Sequence, residues 1–125
     1  EKEIAALGES YWERHKKEFP ARDTIQKVTP PIIMKKQYDM LSEMKDIFVK
    51  RGTNYKILIN PKYNQVKLNP DDLKQLQEIF GKENVFDFSG INEYTADIHN
   101  YYEKGHYRPQ LGRKMLDVIY GTIEN

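Results

Sequence analysis

The chain has 125 residues, room for one compact domain, and 20 Lys and Arg against 19 Asp and Glu leave a net charge of +1. That balance excludes the broad basic field that holds nucleic acid, and no stretch reaches the ~20 consecutive apolar residues of a membrane-spanning helix. With no cysteine, disulfides, thiolate zinc sites and thiol nucleophiles are excluded too.

Ile4, Leu7 and Tyr11 recur at helical spacing, continue to His15 and Phe19, and stop at Pro20. Residues 21–31 are polar, and Pro30-Pro31 forces extended backbone, so residues 1–33 are read as a helix and linker ahead of a domain spanning 34–125. Met34, Tyr38, Leu41, Met44, Ile47 and Phe48 then mark one stripe of a helix, closed by Gly52. Tyr55 to Ile59 is an apolar strand ending at Asn60-Pro61. Asn69 and Pro70 open the next helix, with Asp71 and Asp72 favourably placed in its first turn; Leu73, Leu76, Ile79 and Phe80 form its apolar face. Val85 to Phe88 is a second strand. Pro109 starts a last helix that turns Leu111, Met115, Leu116, Val118 and Ile119 inward and ends at Gly121.

Helix and strand in this alternation predict an α/β domain in which Ile57–Ile59 and Val85–Phe88 are parallel neighbours joined through the Asp71–Phe80 helix. A hairpin between residues 57–60 and 65–68 is the alternative pairing. Two parallel strands make too small a sheet, so further strands are expected from residues outside this chain.

Chemistry concentrates in Asn100-Tyr101-Tyr102-Glu103-Lys104-Gly105-His106-Tyr107-Arg108-Pro109, followed by Gly112. A carboxylate three residues before a histidine, ahead of a Pro-initiated helix, lies where ligands bind in open α/β sheets. Such a carboxylate can hold one imidazole nitrogen and leave the other as a general base. The same spacing fits a solvated or helix-capping histidine. His99, Glu103 and His106 lack a third nitrogen or sulfur ligand, so neither a metal nor another cofactor is expected. Tyr101, Tyr102 and Tyr107 suit either sugar stacking or packing. Arg108 suits either an anionic group or solvent.

This stretch, with Lys56-Ile57-Leu58-Ile59-Asn60-Pro61 and Val85-Phe86-Asp87-Phe88-Ser89-Gly90 upstream, resembles the closing blocks of the SGNH/GDSL hydrolases over roughly residues 34–121. It is closest to their bacterial, envelope-associated branches. The resemblance implies the C-terminal half of a flavodoxin-like three-layer α/β/α domain with few parallel strands, and an extracytoplasmic or cell-envelope setting. It casts His106 and Glu103 as two members of a Ser-His-acid triad in an O-acyl esterase or acyltransferase. The implied substrates are O-acylated carbohydrates or small esters, and the implied partner is the missing N-terminal half of the same domain. A homo-oligomer of the present chain is the other expected association, through its uncovered apolar faces.

Two features depart from the family. Glu103 stands where the family has Asp, and the Gly-Asp-Ser turn and the glycine and asparagine blocks of the oxyanion hole are absent. Gly8-Glu9-Ser10 lies in a charged helical pattern with no strand before it, Ser42 is mid-helix, and Ser89 belongs to a segment that is structural in the family. The chain by itself is therefore expected to be inactive. The alternative is a non-catalytic binding or scaffold module that retains the fold.

Overall fold

The computed structural model describes residues 1–121, so the last four residues of the 34–125 domain lie outside the described residues. The structure is a mixed α/β chain. The apolar runs 57–59 and 85–87 do form two parallel strands, β1 (Ile57–Ile59) and β2 (Val85–Asp87), with Ile57 opposite Val85 and Ile59 opposite Asp87. The alternative 57–60/65–68 hairpin does not form. Lys67 instead makes a parallel bridge with Val28: the Lys67 amide donates to Lys27 O and the Thr29 amide to Lys67 O, both at 2.9 Å. Part of the expected linker is thus stitched to the loop after β1.

Successive strand residues face opposite sides, and the two sides have different cover. Ile57, Ile59 and Val85 pack with Ile79 and Phe80 of α4 (Pro70–Phe80) and with Tyr38, Leu41 and Phe48 of α3 (Lys35–Lys50). Leu58, Phe86 and Phe88 face Tyr63, Tyr101, and Leu111 and Met115 of α6 (Pro109–Tyr120). Leu111 is completely buried. Both apolar stripes are only half covered, however. Met34, Met44 and Ile47 of the first stripe are exposed, in line with the uncovered apolar faces expected, and so are Leu116 and Val118 on α6, which were expected to turn inward. A groove of about 540 Å³ continues this apolar surface past the end of β1, with Val28, Ile32, Ile59 and Leu68 in its walls.

The first helix predicted from the apolar spacing is broken. Gly8 takes φ 56° and ψ −137°, which separates α1 (Lys2–Leu7) from α2 (Ser10–Arg14), and a 3₁₀ turn follows at Lys16–Glu18. The periodicity runs across the break because Ile4, Tyr11 and Trp12 still bury into one cluster. A short helix, α5 (Glu93–Ala96), precedes a hairpin in place of the expected loop: β3 (Tyr101–Glu103) antiparallel to β4 (His106–Tyr107).

Asp72 fastens the strap before α3. It is fully buried at the third helical position of α4, and its two oxygens accept the amides of Ile32 (3.0 Å) and Ile33 (3.1 Å). Asn69 caps the same helix, accepting from the Asp71 amide while its side-chain amide donates to Thr29 O. Replacing Asp72 with Ala leaves two amides without their charged acceptor, so Asp72→Ala is expected to lower stability by about 1–3 kcal/mol. Urea unfolding measures it; an unchanged midpoint would show that the strap is held by other contacts.

Candidate functional site

Glu103 and His106 are brought together, as their spacing suggested, but by a hairpin rather than a loop. They are cross-strand partners flanking Lys104-Gly105, and His106 Nδ1 is bonded to Glu103 Oε1. An ionised carboxylate only accepts, so this bond places a proton on Nδ1, and Nε2 has no hydrogen-bond partner among the described residues. The His106 side chain is 80 % exposed and that of Glu103 30 %.

Gly105 helps to position the Glu103 carboxylate. Glu103 Oε2 accepts the Gly105 amide at 2.9 Å, and a Cβ at residue 105 would lie 3.2 Å from that same oxygen. Burial works to raise the Glu103 pKa, but the Gly105 amide and the His106 imidazole outweigh it and hold the carboxyl below its ordinary value; the Lys104 charge acts in the same sense. Glu103 is therefore a charged acceptor for His106 at neutral pH.

The hairpin is anchored from three directions. Trp12 Nε1 donates to Tyr101 O (3.1 Å) and the Tyr11 hydroxyl to Tyr102 O (2.7 Å), so side chains of α2 occupy carbonyls of β3. The Tyr101 hydroxyl donates to Pro61 O at 2.7 Å, tying the hairpin to the end of β1, and burial pushes its pKa up to about 12. The Arg108 amide donates to Asn100 O at 2.7 Å, closing the hairpin at the start of α6. Between the hairpin tip and residues 60–63 lies a cleft of about 350 Å³, with His106 in its wall.

The remaining sequence candidates fall elsewhere. Tyr101 is a packing residue, Tyr102 donates to Glu1, and Tyr107 alone of the three tyrosines is exposed at the cleft. Arg108 pairs with Glu1, donates to His99 O and lies over the Trp12 ring, so it is not free for an anionic ligand. The Ser10 hydroxyl donates to Leu7 O. The Ser89 hydroxyl donates to Asp87 at 2.5 Å and accepts the Leu68 amide, which makes Ser89 a strand-end cap. None of Ser10, Ser42 and Ser89 lines the cleft.

A second histidine-acid cluster escaped the sequence reading, although Asp97-x-His99 was its visible signal. His99 Nδ1 meets Asp97 at 2.7 Å, Nε2 meets Glu9 at 2.9 Å, and the ring lies edge-on to Trp12 with centroids 4.5 Å apart. With both nitrogens facing carboxylates, His99 is a latch between α2 and the hairpin approach. Its pKa is raised by the Glu9 bond first, against the pull of burial, and then by Asp97. His15 is raised in the same direction, chiefly by Glu3. No group of three or more metal-binding side chains occurs among the described residues. No family model, curated protein or solved structure matches this chain.

Two outcomes follow from this geometry. Gly105→Ala is expected to push Glu103 aside and release the Nδ1 proton, so that His106 redistributes between its tautomers while the fold persists. Imidazole ¹⁵N shifts measure this, and unchanged shifts would mean that the carboxylate accommodates the methyl. For His99, the folded pKa lies above the ordinary 6.5. Its stabilisation is thus complete below that value and is lost as pH rises through the raised folded pKa. Unfolding followed by emission of Trp12, the single tryptophan, should show a lower urea midpoint at about pH 8 than at about pH 6. The difference should shrink in His99→Gln and vanish with His15→Gln added. A pH dependence unaltered in the double variant would assign it to other groups.

Proposed function

We propose that this chain supplies the histidine-acid half of a serine ester hydrolase or acyltransferase, on an α/β domain of the flavodoxin-like SGNH kind. The observation that carries the proposal is the Glu103–His106 pair, with Nδ1 engaged, Nε2 free and the imidazole in the wall of a cleft. The open outer edges of β1 and β2 among the described residues, and the groove past β1, suit further strands from an N-terminal half of the same domain. That half is the proposed source of the nucleophilic serine and the oxyanion donors.

In this scheme His106 Nε2 accepts the serine proton as the hydroxyl oxygen attacks the ester carbonyl carbon. The carbonyl electrons move to oxygen, and the resulting oxyanion is held by backbone and side-chain donors. Collapse expels the alcohol, which takes the proton from Nε2, and leaves an acyl-serine. Water or a second alcohol then attacks the acyl-serine by the same proton path, giving hydrolysis or transfer. Glu103 keeps the imidazole oriented through its bond to Nδ1. No cofactor enters the scheme, and an O-acylated glycan of the cell envelope is the substrate proposed on the family resemblance.

The test compares residues 1–125 with a longer polypeptide carrying the proposed first half, using p-nitrophenyl acetate. The longer protein should hydrolyse the ester, and His106→Ala should lower its kcat/KM by about 10³-fold or more. The shorter chain should show no turnover. Full activity in the His106→Ala protein would overturn the proposal. So would turnover by residues 1–125 that survives replacement of Ser10, Ser42 and Ser89.

A further inference from the structure

The cleft beside His106 has a charge of its own. Lys62, from the loop after β1, and Lys104, from the hairpin tip, both line it, and no carboxylate does. Neither lysine forms an ion pair with a carboxylate among the described residues. Lys104 acts on the Glu103 carboxyl at longer range, but both Glu103 oxygens are already occupied, by the Gly105 amide and by His106. The Tyr101 hydroxyl in the wall stays protonated, since burial pushes its pKa up to about 12 and it donates to Pro61 O. The chain as a whole carries only +1, so this excess of positive charge is local. Tyr107, 36 % exposed at the cleft, adds a ring against which an apolar or sugar face can lie.

We infer that this cleft is an anion subsite, in which Lys62 and Lys104 hold the carboxylate or phosphate of a sugar-like ligand while Tyr107 contacts its ring. Lys62 and Lys104 come from segments about forty residues apart, and the Tyr101–Pro61 hydrogen bond joins the two sides of the cleft they line. An anionic ligand is therefore gripped across the joint between sheet and hairpin. Attraction between exposed charges of this kind is modest and falls with salt, so binding is expected in the millimolar range. Both carboxylates and phosphates satisfy an ammonium pair, and a matched set of sugars separates them.

The experiment titrates isotopically labelled residues 1–125 with glucuronate, glucose 1-phosphate and neutral glucose, following amide and side-chain resonances. One or both anions should shift Lys62, Lys104 and Tyr107, and the tighter of the two identifies the preferred group; glucose should not bind. Lys62→Gln and Lys104→Gln should each weaken binding about three- to tenfold, and the double variant should abolish it. Both lysines are exposed, so the variants keep the fold. Lys36→Gln with Lys50→Gln, on α3, should leave binding unchanged. Equal shifts with glucose, binding that persists in the Lys62/Lys104 double variant, or equal loss in the α3 variant would each overturn the inference. Because the titration needs no nucleophile, it can fail or succeed independently of the ester chemistry.

Discussion

Hydrogen bonds from side chains to distant backbone hold together what two short strands cannot. A parallel pair of three residues each satisfies few backbone groups, and buried amides and carbonyls need partners. Asp72 meets the strap before α3, Gln26 donates to Gln65 O, and the Tyr63 hydroxyl donates to Pro20 O. Arg22 spreads its guanidinium over the carbonyls of Tyr63, Thr95 and Ala96. Hydrogen bonds to charged donors are the stronger kind, and the planar guanidinium serves three carbonyls without a second residue. Among the described residues no buried side-chain nitrogen or oxygen is left without a partner. The hairpin inherits its position from this web, because the Tyr101 bond to Pro61 and the α2 bonds to β3 are part of it.

The helices legible in the sequence were those with both a period and a cap. The helix 70–80 has Asn69, Pro70 and two acids at its start, and the structure shows Asn69 capping it. The α3 and α6 helices also formed where predicted, but periodicity reports which side of a helix is apolar and not how much cover that side receives. Three of the six residues of the first stripe and two of the five on α6 are exposed. The Gly8 break was hidden because Ile4 and Tyr11 keep a helical spacing on either side of it. The β3–β4 hairpin was hidden by length: three residues and two, rich in polar side chains, make no apolar alternation. Its signal was the Lys104-Gly105 pair between Glu103 and His106, a two-residue turn.

Site chemistry was legible unevenly. Glu103 and His106 could be paired from their three-residue spacing ahead of Pro109, although the hairpin that pairs them could not be foreseen. The lysines of the cleft could not be paired, because Lys62 and Lys104 come to line one cleft only through the tertiary contact of Tyr101 with Pro61. The role of Gly105 could not be foreseen either: its amide, and the space left by its missing side chain, seat the Glu103 carboxylate.

The bonds from Tyr11 to Tyr102 and from Trp12 to Tyr101 join residues 91 and 89 positions apart. Docking α2 against the hairpin therefore closes most of the chain into one loop, and closure entropy rises with loop length. The strands β1 and β2, and the hairpin itself, close far shorter loops. Of these contacts, the α2 docking therefore carries the largest closure cost. When it opens, the Tyr101 and Tyr102 carbonyls pass to water while the Tyr101 bond to Pro61 stays closed within a shorter loop. The hairpin then remains seated on the sheet with one shoulder bare.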